Sequence, residues 1–223
     1  DFLTENRFDE FELPPGVMAG LKDAGFEHCT PIQAQALPVL LQGRDVAGQA
    51  QTGTGKTAAF LVTVISRLLA VPERKTGLPQ VLIMAPTREL SRQIFEEAQV
   101  LSRHTDITLL EVVGGIDYRE QAESLKKGVD IVIGTPGRII DYFKQGVFKT
   151  TDIKFLVIDE ADRLLDLGFE KDMRYILRKL PVFEKRQSML FSATLSHRVL
   201  ELTYEFMNLP EFISVTPDVV TVE

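Results

Sequence analysis

A single cysteine, Cys29, and three histidines are the only thiol and imidazole groups among the 223 residues. One thiol cannot close an intrachain disulfide or build a cysteine-rich zinc site, and it suits a reducing compartment, so a cytoplasmic protein is expected, with Cys29 as a small half-buried side chain. His28, His104 and His197 lack metal-ligand spacing and read as solvated surface side chains. No stretch approaches the roughly 18 uninterrupted apolar residues that a membrane helix needs. Residues 1–12 are acidic where a secretory leader would be basic and then apolar, so no leader is expected either. Basic charge is also scarce. Lys and Arg number 25 against 32 Asp and Glu, a net of −7, which excludes a general polyelectrolyte binder. Nucleic acid itself is not excluded, because seven acids and two bases in residues 1–30 contribute −5 of that total and leave the remainder nearly neutral.

What is present is an ordinary globular composition, 44% hydrophobic and 26% charged, at a length near the limit of one core. Short apolar, β-branched-rich runs at 45–50, 81–85, 108–113, 130–134, 155–159, 189–192 and 212–215 read as buried strands. Stretches with helical spacing at 57–69, 88–102, 118–127, 138–144, 170–180 and 196–207 lie between most of them, and two more, at 15–24 and 31–41, precede the first strand. This alternation predicts an α/β fold with a mostly parallel central sheet and helices on both faces. The loop at 71–80 does not interrupt the rhythm, and there are no repeats or low-complexity tracts.

Ligands of open parallel sheets gather at the carboxyl ends of the strands, and here those ends carry the chemistry. After the first run come Ala50, Gln51, Thr52, Gly53, Thr54, Gly55, Lys56 and Thr57. The two glycines let backbone N–H groups turn inward around an anion, Lys56 supplies a point charge for β and γ phosphates, and Thr57 offers a hydroxyl to Mg²⁺. Ala50 stands where the usual pattern begins with Gly, a place that requires only a small side chain. The run ending at residue 158 delivers Asp159 to a strand terminus with Glu160 beside it. Asp159 suits Mg²⁺ held largely through water, and Glu160 suits a group that orients the water attacking the γ-phosphate. Lys56, Asp159 and Glu160 are therefore the candidate catalytic residues.

With these motifs in place the sequence resembles the DEAD-box RNA helicase family, specifically its first RecA-like lobe, from Phe8 to about Val215. Asp159-Glu160-Ala161-Asp162 is the eponymous motif, AQTGTGKT at 50–57 is the family's P-loop with its initial Ala, and Ser192-Ala193-Thr194 is its coupling motif. GFEHCTPIQ at 25–33 matches the family's adenine-reading segment, with Cys29 where Pro is commoner and an isolated aromatic, Phe8, 17 positions before Gly25. The wording around the P-loop and the DEADRLLDLGF stretch is most similar to bacterial members that work with the RNA degradosome.

The resemblance implies a RecA-like P-loop NTPase fold with ATP and Mg²⁺ as cofactors, and ATP hydrolysis coupled to RNA binding and local duplex unwinding. Phe8, Phe26, Thr30 and Gln33 join the P-loop in binding ATP, Gln33 reading adenine through its amide and Phe8 stacking on the base or anchoring the N-terminal arm. Ser192 and Thr194 hydrogen-bond to Asp162 to couple nucleotide state to lobe geometry. Pro86, Thr87, Arg88, Gly114, Gly115, Thr135, Pro136, Gly137 and Arg138 grip RNA backbone without regard to sequence. The implied organisation is an adenine-reading segment at 1–44 packed on a lobe at 45–216, with 217–223 a tail or the start of an interlobe linker. A second RecA-like lobe bearing arginine fingers is absent, so nucleotide binding with little turnover is expected. The partners are RNA, that second lobe and RNA-degradosome proteins. Two other readings stand beside this one: a DNA helicase or translocase, disfavoured by the adenine-reading segment and the PTREL wording, and a non-catalytic RNA clamp, disfavoured by Lys56, Asp159 and Glu160.

Overall fold

The computed structural model describes residues 3–75 and 77–215. Its strands are β1 (Val46–Gln49), β2 (Val81–Met84), β3 (Leu109–Val112), β4 (Ile131–Gly134), β5 (Phe155–Ile158), β6 (Gln187–Ser192) and β7 (Glu211–Ser214). They form one sheet in the order β3-β4-β2-β5-β6-β1-β7, and every pairing is parallel. Parallel neighbours can be joined only by crossovers, which the helices supply. Helices α1 (Pro15–Asp23) and α2 (Pro31–Leu40) precede β1. The crossovers are α3 (Lys56–Leu69), α4 (Arg88–Ser102), α5 (Tyr118–Lys127), α6 (Pro136–Lys144), α7 (Ala161–Asp166), α8 (Glu170–Lys179) and α9 (His197–Phe206).

The period of two sorts the strand side chains between two cores. β2 sends Val81 and Ile83 to one face and Leu82 and Met84 to the other, and β5 divides Phe155 and Val157 from Leu156 and Ile158 in the same way. α1 to α4 cover the first face through Leu21, Leu37, Phe60 and Ile94, and α5 to α9 cover the second through Leu125, Ile139, Leu164, Ile176 and Leu202. No helix of the described residues is long and apolar enough to cross a membrane.

Most element ends fall within one residue of the sequence expectation, but two starts differ by two residues and one helix is additional. α6 starts at Pro136, not 138, because Thr135 takes the N-cap and a proline fits the first helical position, where its missing N–H is not needed. β6 starts two residues early, at Gln187, whose side-chain amide donates to the carbonyls of Leu40 and Arg44 at 2.8 Å each. α7 was not foreseen, since six residues are too few to show a period. The N-terminal arm is bound by backbone hydrogen bonds from Thr4 N–H to the Cys29 carbonyl and from Cys29 N–H to the Asn6 carbonyl, both 2.8 Å. Cys29 is fully buried, not half-buried, and burial pushes its thiol up to about 11. Residues 217–223, expected as a tail or linker, lie outside the described residues.

Candidate functional site

The chain leaves β1 opposite β6, where Ala50 N–H donates to the Ser192 carbonyl at 3.0 Å. Ala50 itself is packed into the core, which accounts for a small apolar residue at the head of the loop. Gly53 and Gly55 have φ of +83° and +84°, the left-handed region that side chains disfavour, and Gly55 is the N-cap of α3. Amides at the first turn of α3 have no intrahelical acceptor, so loop and helix together present N–H groups and a positive dipole end to an anion. Lys56 opens that helix and Thr57 follows it.

β5 delivers Asp159 beside the loop. Its side chain is 0% exposed and that of Lys56 5%, and Lys56 Nζ lies 2.9 Å from Asp159 Oδ1. Burial pushes the Asp159 carboxyl above its ordinary value, and the Lys56 ammonium pulls it only partly back. Asp159 Oδ2 is buried with no hydrogen-bond partner. An orphaned buried carboxylate oxygen beside a phosphate-binding loop fits a divalent cation, and Asp159 with Thr57 is the pair that could hold one. Glu160 takes a left-handed φ of +49°, at a cost of about 1 kcal/mol or more, which turns its carboxylate back over the loop. There Thr52 Oγ1 donates to Glu160 Oε1 at 3.0 Å, and Lys56 Nζ lies 3.8 Å from the same oxygen.

Because β5 and β6 pair in register, Ile158 with Leu190, the start of α7 sits against the end of β6. Asp162 N–H donates to Ser192 Oγ at 3.1 Å, and Thr194 Oγ1 donates to Asp162 Oδ2 at 3.2 Å. The ends of β1, β6 and β5 thus form one connected polar surface.

The segment at 25–33, expected to read adenine, reaches the loop through Gln33, which is 3% exposed. Its Nε2 donates to the Gly55 carbonyl and its Oε1 accepts from Thr30 N–H, both at 2.9 Å. One N–H and one lone pair of the amide are left over. Thr30 Oγ1 is buried without a partner. Phe8, 1% exposed, belongs to the core, whereas Phe26, 36% exposed and 6.4 Å from it between ring centroids, is the ring open to solvent.

The remaining motif residues gather at the ends of β2, β3 and β4, where Met84 pairs with Gly134 and Gly134 with Val112. Pro86 is buried, and Thr87 caps α4 by accepting Leu90 N–H. Arg88 Nη1 donates to the Gly114 carbonyl at 3.2 Å and lies over Gly115, whose φ is +87°. Thr135, Pro136 and Gly137 open α6. Arg138 Nη1 donates to the Ile116 carbonyl at 3.1 Å and to Gln121 Oε1 at 3.2 Å, with its guanidinium 5.3 Å from the Tyr118 ring centroid. Tyr118, Gln121 and Tyr142, which hold Arg138, carried no signal in the sequence. Of the histidines, His28 meets the Thr4 carbonyl, His104 Nε2 lies 2.6 Å from Asp23 Oδ2, and His197 is solvated. Among the described residues no group of three or more His, Cys, Asp or Glu could hold a metal ion.

The DEAD/DEAH box helicase family profile matches residues 30–203, which contain every one of these strand ends. The chain belongs to the DEAD/DEAH box helicase family. It is 53% identical over 216 residues to the ATP-dependent RNA helicase RhlB of Pseudoalteromonas atlantica, a match covering 97% of this chain and 51% of that protein. It is 54% identical over 223 residues to the RhlB of Xanthomonas campestris pv. campestris strain B100, covering 98% of this chain and 39% of that one. Among solved structures, a DEAD box protein from the hyperthermophile Methanococcus jannaschii superposes with a TM-score of 0.87 at 33% identity, over 94% of this chain and 56% of that one. The chain spans about half the length of the curated relatives it matches, or less. The fold is accordingly that of a DEAD-box RecA-like domain, parallel throughout.

Proposed function

We propose that this chain is the nucleotide-binding lobe of an ATP-dependent RNA helicase, in which residues 1–44 serve adenine recognition and residues 45–216 serve phosphate and RNA binding. The observation that carries this is the buried Lys56–Asp159 pair with its unpartnered Asp159 Oδ2, set beside a phosphate loop and linked through Asp162 to Ser192 and Thr194. Phosphates entering the loop offer Lys56 a second anionic partner and draw its ammonium from Asp159. Asp159 and Thr57 would then hold Mg²⁺, which when bound neutralises charge on the β and γ phosphates. Glu160, released from Thr52, is positioned to orient a water for in-line attack. Asp162 follows any movement of the acidic strand end and passes it to the end of β6. Arg88, Gly115, Thr135 and Arg138 form the RNA strip, whose amides and guanidiniums read phosphate and 2′-OH but not base edges. A second RecA-like lobe and degradosome proteins are the proposed partners, and a cytoplasmic location the proposed setting.

The test is turnover. Without an arginine finger, worth about 10³ to 10⁵ in rate, the chain alone should bind nucleotide and show little RNA-stimulated ATP hydrolysis. Joined to the second half of a full-length relative it should hydrolyse ATP in response to RNA, and Glu160→Gln should abolish that while preserving ATP binding. Robust RNA-dependent turnover by the 223 residues alone would contradict the division of labour.

A further inference from the structure

The helix α8 carries a second positive surface that neither the nucleotide site nor the strip uses. Lys171, Tyr175, Arg178 and Lys179 recur at spacings that share one side of a helix, and with Arg174 they line a groove of about 440 Å³. Lys144, the last residue of α6, completes it. Its ammonium and that of Lys179 each lie 5.4 Å from the centroid of the Tyr175 ring. Arg174 is engaged elsewhere, 3.5 Å from Glu170 and 2.6 Å from Glu205 of α9. Among the described residues no carboxylate lies within 4.0 Å of Lys144, Lys171, Arg178 or Lys179. Asp141, exposed on α6, stands three residues from both Arg138 and Lys144 and so lies between them around the helix, a single acid that any strand passing from one to the other must skirt. Four cations without an ion-pair partner, two of them at the Tyr175 ring, outnumber Asp172, the acid of α8 not paired with an arginine, and in a chain of net charge −7 form a local field of the opposite sign.

We propose that this groove is a track for single-stranded RNA backbone, continuing from Arg138 along α6 to Lys144 and then along α8; it rests on the strip described above. Arg138 and Lys144 stand in the first and last turns of α6, about 9 Å apart along its axis. The two side chains stand about 120° apart around that helix, so a strand leaving Arg138 reaches Tyr175 by turning about a third of the way round α6 as it descends. No large hydrophobic side chain of α6 or α8 is exposed, so the surface offers an occupant charge and little apolar area, which favours a polyanion. The Tyr175 ring lies beneath ammonium groups and is not free to stack on a base, so the track reads phosphate alone. Three of the four cations are lysines, compact point charges suited to a flexible chain of phosphates.

The experiment is salt-titrated fluorescence anisotropy with two oligouridylates, one just long enough for the strip and one several times longer. It compares the unaltered chain with the triple variant Lys144→Gln, Lys171→Gln, Lys179→Gln. Each phosphate neutralised on a single strand contributes about 0.7 to the slope of log K against log salt, so the triple variant should lose about 2 units of slope on the long strand and none on the short. Unchanged ADP affinity and circular dichroism show that it folds. Equal slopes for both proteins on the long strand overturn the proposal, as does a loss seen only with polyglutamate, which marks an acidic protein as the occupant. Arg138→Ala separates the two claims. If it weakens both strands while the triple variant weakens neither, the strip stands and the track falls; if it weakens neither while the triple variant flattens the long-strand slope, the track stands alone.

Discussion

The carboxyl ends of β1, β5 and β6 and those of β2, β3 and β4 lie along one edge of the same sheet, yet they hold charge in different ways. In the first group Lys56 and Asp159 are buried against each other, and the neighbouring polar groups are tied through Thr52, Glu160, Asp162 and Ser192. In the second, the exposed Arg88 rests on a backbone carbonyl of the β3–α5 loop, and the half-buried Arg138 on another together with Gln121 and the Tyr118 ring, and neither has a charged partner. A buried charge cannot give up its partner unless another arrives, so the first group rearranges only for a ligand that brings its own charge. A guanidinium whose partners are neutral exchanges one of them for a phosphate at little cost, so under the proposed function the second group would accept RNA backbone without regard to sequence.

The sharpest way to break this contrast is to remove one cation from each group. Lys56→Ala leaves Asp159 buried without a counter-charge and should cost about 3–5 kcal/mol in denaturant unfolding, whereas Arg88→Ala should cost about 1 kcal/mol or less. The pH dependence has a defined sign. The Asp159 carboxyl is raised in the folded chain above the ordinary 3.8, so its burial as an anion opposes folding at neutral pH and ceases to do so as pH falls through the raised value. The deficit of Lys56→Ala should therefore shrink on acidification, and that of Arg88→Ala should not. A Lys56→Ala deficit independent of pH would mean that Asp159 is not the group left unpaired.

Nucleotide choice tests the buried group at its outer end. The spare N–H and lone pair of Gln33 match adenine N7 and N6, and a lost bidentate contact is worth roughly 1–3 kcal/mol. Gln33→Ala also frees the Gly55 carbonyl, which affects every nucleotide alike, so the ratio is what matters. In calorimetry the preference for ADP over GDP should fall about tenfold or more. Equal affinity of the unaltered chain for ADP and GDP would remove Gln33 from adenine recognition.

Matched glycine substitutions give a smaller contrast. Gly55→Ala puts a left-handed φ on alanine and a Cβ 2.5 Å from buried Gln33 Nε2 and 2.8 Å from Thr30 Oγ1, neither of which can move away freely. Gly115→Ala brings the same backbone strain, about 1–2 kcal/mol, but its Cβ meets only the free end of Arg88. Measured by ADP calorimetry and RNA anisotropy, the first should lose ADP affinity by tenfold or more and the second RNA affinity by only a few-fold. Similar losses from both would erase the distinction between a set site and an adjustable one.

The parts legible in the sequence are those whose physics is local or periodic. Strands buried on both faces read as unbroken apolar runs, and Gly53, Gly55 and Lys56 announce a phosphate loop by spacing alone. What stayed hidden depends on register between distant segments. Thr52 meets Glu160 across 108 positions, and Arg138 finds Ile116 and Gln121 only because α5 and α6 flank the same strand ends. The left-handed turn at Glu160 has no residue-type signal, since glycine would be the usual choice. Spacing placed Phe8 and Phe26 in one segment but could not say which ring the core would take, and it is Phe26 that remains open.

The smallest effect expected lies in the strip itself. With a net charge of −7 the chain has no overall field to attract RNA, so binding of a strand that covers only the strip must come from a few phosphate contacts. If about two phosphates are neutralised, log K should fall by about 1.4 units per decade of salt. Arg138→Ala should remove close to half of that slope and weaken unrelated sequences equally. The Tyr142 hydroxyl would still donate to the Tyr118 carbonyl at 2.7 Å, so the neighbouring helices stay paired and the fold is not at stake. Arg138→Lys should keep the slope, since the charge remains, yet lower affinity, since the planar fork that Tyr118 supports is lost. Lys75→Ala, which removes only an exposed pair with Asp152 far from these strand ends, should change neither quantity. Salt-titrated anisotropy on two unrelated short RNAs measures all three variants, and a steep slope, a strong sequence preference or indifference to Arg138 would each show that Arg88 and Arg138 are not what grips the backbone.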